Sequence, residues 1–265
     1  MTREFLSFLQ NFLSDKKFRA GHLEMRRLSG LPRYTKTVTN LLGKPLEIVD
    51  NSSFFGMHKE IFGNEIYKFK SNSQTPFIID GGSNIGLSII YLKNLYPKAR
   101  ITAFEPDENL FRVLQRNLRS FGIEDVELHR AALWSENTEL TFIAEGADSG
   151  RITSAGEAQT VQVKAVRLKD FLTQKIDFLK LDIEGAELEV LEDCVEPLKK
   201  VENLFVEYHS FAGKPQKIDR LFNILLASGF RVNAHPCGTE KSPLFERKTY
   251  LGMDFQMNIF AYREA

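Results

Sequence analysis

The chain has 265 residues, of which 43% are hydrophobic, and this is enough apolar material for one sizeable domain with a small elaboration. Lys and Arg together number 35, as do Asp and Glu, so the chain has no net charge and lacks the basic excess typical of nucleic-acid binding. The two cysteines, Cys194 and Cys237, form no metal-ligand spacing, and no apolar run is long enough to span a membrane, so we expect a cytoplasmic protein.

The first 75 residues predict an irregular N-terminal elaboration of mixed α and β structure, and residues 76–265 predict the main domain. Apolar residues recur at helical spacing over 5–13. Residues 46–49 predict a short strand, and the polar run at 50–53 predicts a turn after it.

From residue 76 onward, short apolar segments alternate with longer helical patterns. This alternation is typical of βα units, so we expect an α/β fold with a doubly wound, mostly parallel sheet. The strands are predicted at 77–80, 101–105, 126–133, 178–181, 204–206, 230–232 and 255–262, with extra strands at 140–143 and 161–163. The helices are predicted at 87–95, 110–118, 188–191 and 221–226.

A glycine-rich turn, Asp80-Gly81-Gly82-Ser83-Asn84-Ile85-Gly86, joins the first of these strands to its helix. Glycines allow a sharp turn and a close approach to a ligand, and ligands of open α/β sheets bind at the carboxyl ends of the strands. The spacing differs from the dinucleotide pattern G-x-G-x-x-G, and no P-loop lysine follows. The turn is similar to the nucleotide loop of Rossmann-like methyltransferases, although a plain βα turn also uses glycine.

Glu105 ends the second predicted strand, about twenty-five residues after Asp80. A carboxylate at this position can accept hydrogen bonds from both hydroxyls of a ribose. It also suits a positively charged sulfonium cofactor better than a phosphate-bearing one. The alternative is an acid that only stabilises the start of the following helix.

The segment 180–187 is a third indication of a functional site, after the glycine-rich turn and Glu105. Strand alternation places Lys180 and Asp182 on one face. A lysine in a buried strand needs a partner, and we expect a carboxylate such as Asp182 or Glu207. Glu187 falls in the first turn of a predicted helix, where the helix dipole favours a negative charge.

Four stretches together resemble the FkbM-type S-adenosylmethionine-dependent methyltransferases: 80–86, 104–106, 131–133 and, above all, 180–187. The last of these, Lys-Leu-Asp-Ile-Glu-Gly-Ala-Glu, is the specific part of the resemblance. The resemblance covers about half of the chain. It implies a Rossmann-like methyltransferase fold, with a seven-stranded sheet whose last strand is antiparallel, and O-methylation of hydroxyl groups.

The resemblance also implies how individual residues bind S-adenosylmethionine. The loop would hold the methionine part of the cofactor, through Asp80, Gly81, Gly82, Ser83, Asn84 and Gly86. Glu105 would bind the ribose, and Asp182 would lie beside the reactive methyl group. Ala132 would lie near the adenine; because neither it nor Ala131 is acidic, we assign adenine recognition to backbone groups.

Three side chains at predicted strand ends are candidates to take the proton of an acceptor hydroxyl: Asp182, Glu207 and His209. Histidine titrates near neutral pH and is the best-matched base, although a structural histidine at a strand end is the alternative. The same three side chains could hold Mg²⁺ or Mn²⁺, which would lower the pKa of the hydroxyl. We do not favour a metal from the sequence.

We therefore expect a methyltransferase that uses S-adenosylmethionine and acts on a hydroxyl of a small molecule, sugar or glycoconjugate, without a nucleic-acid partner. Two alternatives stay open: methyl transfer to nitrogen, and a non-catalytic module that binds a nucleoside or S-adenosylmethionine. The glycine-containing loop at 146–151 could close over the acceptor or be a plain connector.

Overall fold

The computed structural model describes residues 12–143, 151–152, 160–237 and 242–264. Before residue 76 it contains two helices and a pair of short antiparallel strands: α1 (Lys16–Ser29), β1 (Thr37–Thr39), β2 (Leu46–Ile48) and α2 (Asn51–His58), which continues into a π-helical turn at Lys59–Gly63. The helix predicted over 5–13 and the loop predicted at 146–151 lie almost entirely outside the described residues.

The short strand predicted at 46–49 is confirmed as β2, but the turn predicted at 50–53 is wrong. Asp50 is instead the N-cap of α2, because its Oδ2 accepts hydrogen bonds from the backbone N–H of Ser53 at 2.9 Å and from the Ser53 hydroxyl at 2.8 Å. Asp and Ser favour turns and helix starts alike, so the local sequence does not separate the two. The helix is held in place because Phe54 is buried in the hydrophobic core.

The rest of the described chain alternates between strands and helices, as predicted. Its strands are β3 (Phe77–Gly81), β4 (Arg100–Phe104), β5 (Val126–His129), β6 (Ala132–Trp134), β7 (Thr138–Ile143), β8 (Arg151–Ile152), β9 (Thr160–Arg167), β10 (Ile176–Leu181), β11 (Val201–Phe211), β12 (Arg231–Cys237) and β13 (Met253–Tyr262). Its α-helices are α3 (Leu87–Leu95), α4 (Glu108–Ser120), α5 (Glu187–Asp193) and α6 (Ile218–Ala227).

The central sheet has seven strands in the order β12-β13-β11-β10-β3-β4-β5. Strands β11, β10, β3, β4 and β5 run parallel to one another, whereas β13 is antiparallel to both of its neighbours. This confirms the expected Rossmann-like methyltransferase fold with an antiparallel last strand. The chain order reverses between β3 and β10, and such a switch point is where open α/β sheets bind ligands.

The single strand predicted at 126–133 is wrong, because the chain leaves the central sheet after β5. Residues Ala132–Trp134 form β6, which pairs with β9 in a second sheet of order β6-β9-β7-β8. Leu133 is buried under the central sheet, and Ala132 is buried in a small core of the second sheet. The apolar pattern therefore continues across the break, and periodicity alone cannot locate it.

Two hydrophobic cores cover the faces of the central sheet. Helices α3 and α4 pack on one face together with the N-terminal elements, and α5 and α6 pack on the other. The buried amide of Asn117 attaches the N-terminal strands, since it accepts from the backbone N–H of Glu47 at 2.7 Å and donates to the Glu47 carbonyl at 2.9 Å. No helix in the described part of the chain is both long and apolar enough to cross a membrane.

The loops that follow the neighbouring strands β3 and β10 touch each other at Gly82. Its φ of +81° lies in the left-handed region, and a Cβ added there would stand 1.9 Å from the carbonyl oxygen of Asp182. Gly43 has a similar φ of +84° but no atom within 4 Å of the same position. Glycine is therefore required at 82 by the contact between the two strand ends as well as by the backbone conformation.

We expect Gly82→Ala to lower the free energy of unfolding more than Gly43→Ala does. Both variants place a Cβ in the left-handed region, which costs roughly 1–2 kcal/mol. Only Gly82→Ala also forces the backbone of Asp182 to move. Urea unfolding followed by far-ultraviolet circular dichroism measures the difference, and equal losses in the two variants would contradict the steric argument.

Candidate active site

A cavity of about 550 Å³ opens at the carboxyl ends of β3, β4, β10 and β11. Its volume lies within the range of small-molecule and cofactor sites. Among the residues that the structure describes, Lys180 is the one basic residue of the cavity wall. The acidic residues of that wall are Glu60, Glu105, Asp107, Asp182, Glu184 and Glu207.

The glycine loop and Glu105 meet at one side of this cavity. The backbone N–H groups of Gly82 and Ser83 donate to the carbonyl oxygen of Phe104 at 3.0 and 2.9 Å. The Glu105 carboxylate accepts the backbone N–H of Asn84 at 2.9 Å and that of Asp107 at 2.8 Å. Each of its oxygens keeps a lone pair for a ligand, since an ionised carboxylate offers about four acceptor positions.

Glu105 is only 5% exposed, and this burial raises the pKa of its carboxyl group to about 7 against the opposing effect of the two backbone hydrogen bonds. Hydroxyl donors or a positive charge in the cavity would stabilise its ionised form. The site is therefore electrostatically suited to a ligand that is rich in hydroxyl groups and cationic.

The residues predicted to bind the cofactor fall into two groups. Those that line the cavity are Gly82, Ser83, Asn84, Glu105, Ala132 and Asp182. Asp80, Gly81 and Gly86 lie behind them: Asp80 is fully buried and accepts the Ser88 hydroxyl at 2.6 Å. Gly86 has a φ of +93° and packs against α4, where a Cβ would stand 2.7 Å from Leu114.

Lys180 has the carboxylate partners that burial requires. Its ammonium lies 3.4 Å from Asp80 and 3.5 Å from Asp182, and it donates hydrogen bonds to the carbonyl oxygens of Gly81 and Gly82 at 3.0 and 2.8 Å. Burial alone would lower the pKa of Lys180, but Asp182 and Asp80 outweigh it and raise that pKa. The predicted partner Asp182 is confirmed, whereas Glu207 is not within ion-pair distance.

The three candidates for proton removal lie together on the opposite side of the cavity. One ligand atom from each of Asp182, Glu207 and His209 lies within 4.8 Å of the others, and these atoms could hold a metal ion. Asp182 and Glu207 line the cavity, while His209 lies behind them with a side chain only 1% exposed.

Glu187 does more than the helix-dipole role expected of it. Its buried carboxylate accepts the backbone N–H groups of Ile183 and Gly185 at 3.0 Å and lies 3.0 Å from Nδ1 of His209. Burial opposes protonation of His209, yet Glu187 and Glu184 raise its pKa well above the ordinary value. His209 is therefore held by Glu187 at the back of the cavity wall rather than at its surface.

The N-terminal elaboration closes the cavity with residues that carry no sequence motif. Met57, Glu60 and Ile61 come from α2 and the turn after it, and Tyr67 follows. Tyr67 is only 4% exposed, and none of the described residues forms a hydrogen bond with its hydroxyl. Nothing in the local pattern marks these side chains, because only the packing of α2 on the sheet brings them to the cavity.

Known methyltransferases resemble this chain over half of its length or more. The chain is 32% identical to Methyltransferase 1 of Beauveria bassiana in an alignment of 161 positions, and the match covers 51% of this chain and 65% of that protein. It is 32% identical to Methyltransferase sdnD of Sordaria araneosa in an alignment of 203 positions, and the match covers 62% of this chain and 78% of that protein. The 2-O-methyltransferase NoeI of Sinorhizobium fredii is 27% identical over 50% of this chain and 63% of its own length.

The crystal structure of Methyltransferase FkbM from Methylobacillus flagellatus shares the fold with a TM-score of 0.50, at 15% identity over 97% of this chain and 60% of that one. The family model described as Methyltransferase FkbM domain matches residues 80–232, which are more than half of the 265 residues. On the strength of that match, together with the glycine loop, the strand order and the segment 180–187, the chain belongs to the FkbM methyltransferase domain family.

Proposed function

We propose that the protein transfers a methyl group from S-adenosylmethionine to a hydroxyl group of a small molecule, sugar or glycoconjugate. The observation that carries this proposal is the shared cavity of the glycine loop, Glu105 and Asp182. The loop and Glu105 form one side, suited to an adenosine, and Asp182 and Glu207 form the other, suited to an acceptor. The cavity between them is large enough for a cofactor of this size.

The charge of the cavity supports this choice of cofactor. S-adenosylmethionine carries a sulfonium and an ammonium, and the wall holds six acidic residues against Lys180. A phosphate-bearing cofactor would need compensating cations or free backbone N–H groups. At this loop the N–H groups of Gly82 and Ser83 already donate to the carbonyl oxygen of Phe104.

The chemical step is an in-line displacement. The acceptor oxygen forms a bond to the methyl carbon, the carbon–sulfur bond breaks with its electron pair going to sulfur, and S-adenosylhomocysteine is left. The hydroxyl proton passes to a carboxylate of the cavity wall. Holding the oxygen, carbon and sulfur in line can supply about 7–11 kcal/mol of rate enhancement.

We assign the proton to Glu207 or Asp182 rather than to His209. Both carboxylates face the cavity, whereas His209 does not line it. Burial and the neighbouring Asp182 raise the pKa of Glu207, and a carboxylate with a raised pKa is a stronger base near neutral pH. His209 then stabilises this part of the wall from behind.

A hydroxylated acceptor is supported by the polar groups on the remaining wall, where Ser52, Tyr67 and Gln256 offer donors and acceptors. The name of the relative NoeI, a 2-O-methyltransferase, also favours oxygen as the target. Calorimetry with S-adenosylmethionine, followed by release of S-adenosylhomocysteine with a panel of sugars and other alcohols, tests the proposal. Binding without turnover on the panel would favour a non-catalytic module, and turnover only with amines would favour transfer to nitrogen.

We expect Glu105→Ala to weaken the binding of S-adenosylhomocysteine by about 1.5–3 kcal/mol, the range for hydrogen bonds to a charged group. The lost contacts are those from the ribose hydroxyls. Isothermal titration calorimetry measures the change, and Glu124→Ala, at an exposed position near β5, is the control with expected native affinity. Native affinity in a folded Glu105→Ala protein would contradict the assignment of Glu105 to the ribose hydroxyls.

We expect Glu207→Gln to lower kcat by about 10²–10⁴-fold, the usual contribution of a positioned base. Its affinity for S-adenosylhomocysteine should stay native, because Glu207 lies on the acceptor side. Glu202→Gln is the control, since Glu202 lies at the other end of the same strand and pairs with Lys175 at 3.1 Å. Unchanged kcat in Glu207→Gln would indicate that Asp182, and not Glu207, accepts the proton.

A further inference from the structure

We propose that Asp182, Glu207 and His209 bind a divalent metal ion of the Mg²⁺ or Mn²⁺ class at the acceptor side of the cavity. The proposal goes beyond methyl transfer, because an ion can bind here whether or not cofactor and acceptor are present. It also reverses the preference drawn from the sequence, where these three side chains suited a protein base better than a metal.

The distances around His209 are those of a set of ligands rather than of hydrogen bonds. Its Nε2 lies 3.6 Å from a carboxylate oxygen of Glu184 and 3.8 Å from one of Glu207. Both distances exceed the 2.7–3.2 Å usual for hydrogen bonds. Because a ligand atom of Asp182 also lies within 4.8 Å of those of Glu207 and His209, small side-chain movements would bring all three within the roughly 2.1 Å of a metal–ligand bond.

The imidazole itself points to a ligand. Its side chain is only 1% exposed, its Nδ1 is 3.0 Å from Glu187, and its Nε2 contacts Glu184 and Glu207 at ion-pair distance. A metal-bound histidine characteristically donates its other ring N–H to a carboxylate, which is the contact that Glu187 makes here.

The negative charge around His209 favours a divalent cation over a monovalent one. Four carboxylates surround His209, from Asp182, Glu184, Glu187 and Glu207. The ammonium of Lys180 is near Asp182, but it also donates to two backbone carbonyls. A divalent ion would reduce the repulsion among these carboxylates more than a monovalent group could.

The identity of the ligands selects the class of ion and its place in the reaction. Carboxylates suit Mg²⁺ and Mn²⁺, and one imidazole among them favours Mn²⁺. Asp182 and Glu207 line the cavity, so the open coordination positions of the ion would face the acceptor. An ion there would bind the acceptor oxygen and make its hydroxyl more acidic, and with the ion bound Asp182 and Glu207 would act through it rather than as free bases.

Titration of the full chain with Mn²⁺ tests the proposal, after removal of bound metal with EDTA and dialysis. Electron paramagnetic resonance of the free ion gives the stoichiometry and the affinity. We expect one ion per native chain, and Asp182→Asn and His209→Asn should each weaken its affinity by more than about tenfold. Glu187→Gln should weaken it by about 10–100-fold, the usual effect of a partner that orients a metal-bound histidine.

The chain offers a matched pair of controls at the end of β5. His129 and Glu127 form a histidine–carboxylate contact of 2.9 Å, but the Glu127 side chain is exposed and neither residue lines the cavity. His129→Asn and Glu127→Gln should retain native Mn²⁺ affinity.

Absence of Mn²⁺ binding by the native chain, or native affinity in Asp182→Asn, would overturn the proposal. Asp182 is the decisive position if His209→Asn does not fold, because its side chain is 24% exposed at the cavity surface. Calorimetry with S-adenosylhomocysteine on the same samples separates the two proposals: cofactor binding without Mn²⁺ binding would contradict only the metal site. Mn²⁺ binding without binding of S-adenosylhomocysteine would contradict only the cofactor site.

Discussion

The buried ammonium of Lys180 fixes the geometry on which the cavity depends. It joins the ends of β3 and β10 by donating to the carbonyl oxygens of Gly81 and Gly82, and it lies between Asp80 and Asp182. An ion taken out of water costs several kcal/mol unless its partners are well placed. The two strand ends are therefore held in one relative position, at the point where the order of the sheet reverses.

This junction divides the cavity into two sides with different chemistry. Toward β4, the loop after β3 is bonded through its backbone to Phe104 and Glu105, beside a hollow in which we propose that an adenosine binds. Toward β11, Asp182 and Glu207 present charge to the position of an acceptor. The reactive methyl would lie between the two sides, next to the lysine junction.

The two sides also differ in which part of the chain forms them. The family match covers residues 80–232 and includes the glycine loop, Glu105, Asp182 and Glu207. Other parts of the wall come from outside the match: Met57, Glu60 and Tyr67 before it, and Cys237, Tyr250 and Gln256 after it. Part of the wall on the acceptor side that we propose thus comes from outside the family match, while the glycine loop and Glu105 lie within it.

The sequence by itself determined the βα alternation, the mostly parallel sheet, and the facing positions of the glycine loop and Glu105. These follow from local rules, since side-chain periodicity and glycine placement specify strands and turns, and parallel strands end at one edge. Only the tertiary structure decided that the chain breaks between β5 and β6, because the half-buried apolar residues of β5 and the buried ones of β6 form one continuous apolar pattern. It likewise decided the contact between Glu187 and His209, which joins two distant segments, and the place of Tyr67 in the cavity wall, because no local pattern encodes contacts between distant segments.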